Sequence, residues 1–203
     1  MKNIIDIPIS LQEIAPKMNF VFNKQDLAHL FGNDKIQTLN TRISLLIKRG
    51  YLNRAVRGIF YTKGATLEDI ALKIYPEAYL SLSTALSIQQ MIGVKPSWNC
   101  DIITSAPKGK QIKTTIGTIS MKKHKACYHF GIEMIANKKV ANTAKTFLDT
   151  CYFYLRGNNY PFDIGSDIDI SKIDLLLLHE YLERYDNPKF KTFTKGVLAN
   201  YGC

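Results

Sequence analysis

The stretch NKQDLAHLFGNDKIQTLNTRISLLIKRGYLNRAVRGIFY, Asn23 to Tyr61, decides how the chain is read. Asn23 can open a helix at Lys24-Gln25-Asp26, because its side-chain oxygen accepts from the exposed N–H groups of a first turn. Leu27, Leu30 and Phe31 give that helix one apolar side. Gly32-Asn33 suits a tight turn, since both residue types tolerate left-handed backbone, and Asp34 is placed to cap a second helix. In that helix Ile36, Leu39, Ile43, Leu46 and Ile47 recur at three- and four-residue steps and predict one buried stripe. The opposite face is expected to carry Lys35, Gln37, Thr38, Thr41, Arg42 and Lys48. Donors of that reach on the first turns after a tight turn suit base edges and flanking phosphates in a major groove. Lys48-Arg49-Gly50 ends the helix with positive charge and a glycine. A β-forming hairpin, Tyr51 to Tyr61, then holds Arg54 and Arg57 toward its tip. The whole predicts a winged helix-turn-helix docking on double-stranded DNA. Its groove contacts are Lys35, Gln37, Thr38, Thr41 and Arg42, with Lys48 beside them and Arg54 and Arg57 on the minor groove or backbone.

Outward from this stretch, charge points the same way. The 203 residues carry a formal net charge of +10, and enough chain for one or two independently folding domains. Residues 1–64 hold ten Lys/Arg against four Asp/Glu and residues 95–157 eleven against three, while 65–94 and 158–203 are each net −2. Two cationic blocks imply a polyanionic partner, because neutralising phosphates releases counterions. No apolar run of membrane-spanning length occurs, and Met1-Lys2-Asn3 leads into no secretory segment, so a cytoplasmic protein is expected. Cys100, Cys127, Cys151 and Cys203 form no C-x-x-C pair and read as small hydrophobes in a reducing compartment.

The rest of the chain reads as a mixed fold. Ser10-x-x-Glu13 predicts a first helix beginning at Ser10 and limited by Pro16. Thr66 and Asp69 open another helix that ends before Pro76. Tyr79 to Leu86 approaches a helix reaching toward Gly93. Strands are expected at Asp101–Thr104, across Thr114–Met121 with Gly117 inside, and from Cys127 to Met134, with a loop at Lys108–Lys110. Asn142 caps a helix from Thr143 to Leu155 closed by Gly157, with Ala144, Phe147, Leu148 and Cys151 on one side. Asn158 to Gly165 reads as loop. Ser171 is expected to cap a helix through Arg184 whose Leu175–Leu178 run is too apolar for exposure, and Asn187-Pro188 starts the last helix. The predicted class is α+β: a winged helix-turn-helix over residues 1–70, then a mixed C-terminal domain over 71–203 with a small β-sheet and flanking helices. The break falls between 64 and 76.

On these residues the chain resembles the AbiEi-like antitoxins of bacterial type IV toxin–antitoxin systems. The resemblance rests on Leu46-Ile47-Lys48-Arg49-Gly50-Tyr51-Leu52 with Arg54 and Arg57-Gly58-Ile59-Phe60, on Tyr79-Leu80-Ser81-Leu82-Ser83-Thr84-Ala85-Leu86, and on Lys145-Thr146-Phe147-Leu148-Asp149, roughly the first 150 residues. It implies an N-terminal winged domain that represses its own operon through promoter repeats. It implies a C-terminal domain that counteracts a nucleotidyltransferase toxin without needing a stable complex. Where family members often place Pro-Glu before the Lys-x-x-x-Asp segment, this chain has Thr143-Ala144.

Two other patterns carry residue types suited to chemistry. Gly165-Ser166-Asp167-Ile168-Asp169, with Asp163, has those of a metal-dependent nucleic-acid-processing enzyme, where paired carboxylates hold metal ions. The Gly-Ser and Asp-x-Asp elements abut rather than being separated by a helical turn, so an Asx-turn loop leading to Ser171 is the expectation. His124, Cys127 and His129 are three of the four ligands a structural zinc site needs, and a buried cysteine beside partly exposed histidines is expected instead. His29 reads as near phosphate or solvent. No catalytic residue, metal or cofactor is therefore expected, and the oligomeric state stays open. A plain winged-helix repressor with no toxin partner is the remaining alternative.

Overall fold

The computed structural model describes residues 6–32, 36–105 and 111–202. The fold is mixed α+β, with eight α-helices and two sheets among the described residues. The chain divides into two compact units, Met1–Pro76 with Lys113–Thr118, and Glu77–Ile112 with Ile119–Cys203.

The N-terminal unit runs α1 (Asp6–Ile14), a 3-10 turn (Ala15–Met18), β1 (Val21–Asn23), α2 (Lys24–Phe31), α3 (Ile36–Lys48), β2 (Asn53–Val56), β3 (Ile59–Tyr61) and α4 (Leu67–Ile74). Ser10 sits inside α1 rather than at its start, so the Ser10-x-x-Glu13 signature does not cap this helix. Pro16 lies in the 3-10 turn after it, in keeping with a ring that cannot continue an α-helix. Asn23 and Asp26 cap α2 reciprocally: the Asp26 N–H donates to Asn23 Oδ1 at 2.8 Å, and the Asn23 N–H donates to Asp26 Oδ2 at 2.7 Å. Gly32 ends α2 at φ +90°, a conformation open to glycine. Thr66 and Asp69 form the same reciprocal cap on α4. Asp26 also pairs with Lys73 at 2.7 Å, joining α2 to α4.

The three strands lie in the order β1-β3-β2, antiparallel throughout, with Phe22 opposite Phe60 and a bulge between Arg54 and Val56. Gly58, at φ +84°, turns the β2-β3 hairpin. Ile7, Leu11, Phe22, Leu27, Phe31, Ile43, Leu52 and Phe60 make the core of this unit. The expected α3 stripe is buried at Leu39, Ile43 and Leu46 and half-buried at Ile47, but Ile36 in the opening turn is 75% exposed. The segment 113–118, distant in sequence, belongs to the same unit. Thr115 Oγ1 donates to the Arg54 carbonyl at 3.1 Å and lies 3.2 Å from Tyr61 Oη.

The C-terminal unit is built on a six-stranded sheet and four helices: β4 (Tyr79–Leu80), α5 (Leu82–Ile88), β5 (Asn99–Thr104), β6 (Gln111–Lys113), β7 (Thr118–Lys123), β8 (Ile132–Ile135), β9 (Lys138–Ala141), α6 (Thr143–Tyr154), α7 (Leu175–Glu183) and α8 (Pro188–Asn200). The strand order is β6-β7-β5-β4-β9-β8. β4 pairs antiparallel with β5, Tyr79 opposite Ile103, and parallel with β9, Leu80 opposite Val140. α5 stops at Ile88, short of the expected Gly93.

The expected Cys127–Met134 strand is replaced by a 3-10 turn at Ala126–Tyr128 and a strand that begins only at Ile132. Gly131, at φ +63°, makes the break, and a Cβ there would lie 2.6 Å from Tyr181 Cε2. β8 and β9 form a hairpin whose two turn residues, Ala136 and Asn137, both have positive φ, the pattern of a type I′ turn. Asn142 and Asn187 cap α6 and α8 as expected, whereas α7 is capped by Asp174 rather than Ser171. Within α7 Leu178 is fully buried, but Leu176 is 85% exposed, contrary to the expectation for the Leu175–Leu178 run. The expected Lys108–Lys110 loop lies outside the described residues. No helix among the described residues is long and apolar enough to cross a membrane.

Candidate nucleic-acid interface

α3 presents an uninterrupted polar strip. Gln37, Asn40, Thr41, Ser44 and Lys48 are all exposed, and their spacing of three and four residues puts them on one side of the helix. Thr38 is exposed at the edge of this strip. Asn40 and Ser44 are additions to the residues expected from sequence, although the same helical spacing selects them. Lys24, at the start of α2, donates from Nζ to Asn40 Oδ1 at 3.1 Å, which brings a further cation to the strip. The Thr41 hydroxyl donates to the Gln37 carbonyl at 3.1 Å and is still exposed to an incoming partner.

The hairpin supplies the second cationic element. Arg54 and Arg57 are both exposed. The Arg54 guanidinium lies 5.7 Å from the centre of the Phe60 ring, which steadies it over an apolar floor without consuming its charge. Lys48 and Arg49 are exposed at the end of α3. Lys35, assigned to the same face, lies outside the described residues, as do Asn33 and Asp34.

Arg42 departs from the expectation. The sequence places it on the groove-facing side, but it is only 7% exposed, and its Nη1 donates to the Phe31 carbonyl at 3.4 Å. The reason is angular. At about 100° per residue Arg42 lies closer to Leu39 and Leu46 than to Gln37 and Ser44, so it flanks the buried stripe. Its long side chain reaches the carbonyl end of α2, where the helix dipole favours a cation. Arg42 therefore joins α2 to α3 rather than projecting from them.

The other patterns resolve differently. Asp163, Asp167 and Asp169 are spent on local turns. The Asp163 N–H donates to Asp167 Oδ2 at 2.8 Å, the Gly165 N–H to Asp163 Oδ1 at 2.6 Å, and the Ser171 N–H to Asp169 Oδ1 at 3.1 Å. Cys127 is exposed and His124 buried, contrary to the expectation, while His129 is partly exposed as expected. Among the described residues no three His, Cys, Asp or Glu side chains are grouped to hold a metal ion. His29 is exposed on α2.

The C-terminal unit instead contains a polar knot where the sequence suggests only helix packing. Lys145 and Asp149, one turn apart on α6 and both fully buried, form an ion pair. Asp149 Oδ2 also accepts from Ser81 Oγ at 2.9 Å and from Tyr79 Oη at 3.2 Å, while Lys145 Nζ donates to Tyr185 Oη at 2.9 Å. The ammonium is 4.9 Å from the centre of the Phe130 ring. Burial alone would raise the Asp149 carboxyl, but the adjacent Lys145 cation brings it below the ordinary carboxylate range. Burial lowers Lys145, and the ion pair with Asp149 opposes that. His124 lies among Tyr128, Tyr152, Phe153 and Tyr185. Its Nε2 stands 3.5 Å from Asp149 Oδ1, yet neither ring nitrogen has a hydrogen-bond partner among the described residues. Burial holds its imidazole below the usual value and so uncharged at neutral pH.

No protein-family model matches this chain, and no curated protein matches it.

Proposed function

We propose that the chain is a DNA-binding antitoxin of a type IV toxin–antitoxin system. In this reading the N-terminal unit is a winged helix-turn-helix that represses its own operon by binding promoter repeats. Gln37, Thr38, Thr41 and the neighbouring Asn40 and Ser44 read base edges in the major groove, Lys48 meets phosphate, and Arg54 and Arg57 reach the minor groove or backbone. Lys35 joins them by its place in the sequence. Arg42 acts on DNA only through the position of α3. The observation that carries the reading is the exposed polar strip of α3 together with two exposed hairpin arginines in one small unit. A solvated surface helix needs no such pairing.

The C-terminal unit counteracts a partner nucleotidyltransferase toxin. Its support is the resemblance, whose quoted motifs meet in one hydrogen-bonded knot: Tyr79 and Ser81 from one, Lys145 and Asp149 from the other. The role assigned to the knot is to hold α6 against β4, with no residue in it acting as a catalyst.

Co-expression tests both halves. If a nucleotidyltransferase toxin is encoded beside this gene, growth arrested by it is expected to be restored by the full chain and by the chain lacking residues 1–76, while repression of the promoter is lost in the truncation alone. Growth that stays arrested with the full chain rejects the antitoxin reading and leaves a plain repressor.

A further inference from the structure

A groove of about 630 Å³ opens in the C-terminal unit, within the size range of small-molecule sites. It uses none of the residues assigned to DNA. Asp101, on β5, lies in its lining, and the backbone of that residue is fixed on both sides. Its N–H donates to Thr84 Oγ1 at 2.8 Å, and its carbonyl accepts from the Ser81 N–H at 3.3 Å. The carboxyl group is largely desolvated, which raises it above the ordinary range, while a hydrogen bond from Ser83 and the cations of Lys122 and Lys95 oppose the rise. Lys122, on the adjacent β7, donates from Nζ to Asn158 Oδ1 at 2.5 Å, and Lys95 donates to the Asn99 carbonyl.

The wall is aromatic. Tyr160 and Phe162 stack with ring centres 5.1 Å apart and planes at 17°, and both line the groove. A purely cationic cleft would suit a bare anion, and a purely apolar one a lipid chain. Here an acceptor carboxylate, two ammonium groups and stacked aromatic rings share one cavity. A ligand that satisfies all three has a flat ring, outward N–H or O–H donors and an anionic group.

We propose that this groove binds a nucleotide, its base lying against the Tyr160–Phe162 wall, its amino or ribose hydroxyl donors directed to Asp101, and its phosphate met by Lys95 and Lys122. Base stacking on aromatic side chains is tolerant of base identity, and ammonium groups bind phosphate as point charges. The nucleotide is either free in solution or part of a single strand, since both offer the same chemistry.

The chain carries one tryptophan, Trp98, 62% exposed and flanked by the groove residues Pro96 and Asn99. Its fluorescence in the full chain reports on the site. The titrants are AMP, GMP, CMP and UMP, the four triphosphates, a short single-stranded RNA, and inorganic phosphate as control. The expected result is a saturable change with at least one nucleotide or with the RNA, and none with phosphate at equal concentration. Saturation by mononucleotides identifies the free form as ligand, and saturation by the RNA alone identifies the strand. Asp101→Asn and Lys122→Gln each weaken binding by about tenfold or more, the effect of losing one charge-assisted contact. Promoter-DNA affinity stays unchanged in both, which separates this site from the DNA reading. If Asp101→Asn does not fold, Lys122→Gln decides. No saturable binding by fluorescence and by ligand-observed NMR, or unchanged affinity in the folded variants, overturns the proposal.

Discussion

Ser81 and Asp149, 68 residues apart in the chain, meet in the core of the C-terminal unit, where the Ser81 hydroxyl donates to Asp149 Oδ2 across 2.9 Å. Around this bond Asp149 also receives Tyr79 and the Lys145 ammonium, so one carboxylate fixes β4 against α6. A buried charge is tolerated only when its partners are in place, which makes the cluster a set of mutually dependent residues.

Removing one charge should therefore cost more than removing both. Lys145→Met leaves Asp149 buried without its cation and is expected to destabilise the unit by about 3–5 kcal/mol. Lys145→Met with Asp149→Leu leaves no charge behind, and its cost falls well short of the sum of the single changes. Urea unfolding of the two single variants and the double variant measures this, and strict additivity would count against the coupling.

His124 sets a pH dependence. Burial, reinforced by Lys145 and Arg156 and opposed by Asp149, keeps the folded imidazole below its ordinary value of 6.5. The unfolded chain then binds the proton first as pH falls, so stability is full above about 6.5 and declines below it. Thermal unfolding from pH 7.5 to 5.5 should show this decline, and His124→Phe, which suits the surrounding rings, should flatten it. His129, lowered by burial in the same direction, leaves a residual slope. An unchanged slope in His124→Phe removes the assignment.

Gly131 is required by space as well as by backbone. Its φ is +63°, and a Cβ would come within 2.6 Å of Tyr181 Cε2 and 3.0 Å of Lys145 Cβ. Gly131→Ala is expected to lose about 1–3 kcal/mol, the range for forcing an added methyl into a filled core. Calorimetry tests it.

Arg42 separates stability from recognition. Arg42→Ala withdraws the donor to the Phe31 carbonyl, so the unfolding midpoint of the N-terminal unit is expected to fall and, on the proposed reading, DNA affinity to weaken for all sequences alike. Gln37→Ala and Thr41→Ala, at exposed positions, leave the midpoint in place and relax sequence preference. Parallel measurements of unfolding and of binding to matched and scrambled duplexes distinguish the two patterns.

Local chemistry is legible in the sequence where it is decided locally. Asn23, Thr66, Asn142 and Asn187 all cap the helices they are expected to cap, because a cap depends on residues three positions apart. The departures depend on the tertiary neighbour. Ser10 has a cap signature inside a continuing helix, and Ser171 is passed over for Asp174. Ile36 and Leu176 have the right period for burial with too little packed over them. β9, with Lys138 and Lys139, has a weak strand signature, and its hairpin turns on Ala136 and Asn137 rather than the usual Asn-Gly. At the candidate interface the polar strip of α3 and the hairpin arginines can be read from period and charge. The fate of Arg42 cannot, because its side chain is long enough to follow either face.

On the proposed reading α3 and the β2-β3 hairpin together grip duplex DNA. Fluorescence anisotropy of the full chain on its own promoter, across a series of salt concentrations, tests it most directly, comparing wild type with Arg54→Ala and Arg57→Ala. Saturable wild-type binding is expected and, for each variant, weaker binding to every sequence with a salt slope reduced by about one phosphate contact. Unaltered affinity and slope in both variants, or no saturable binding by the wild type, would contradict it.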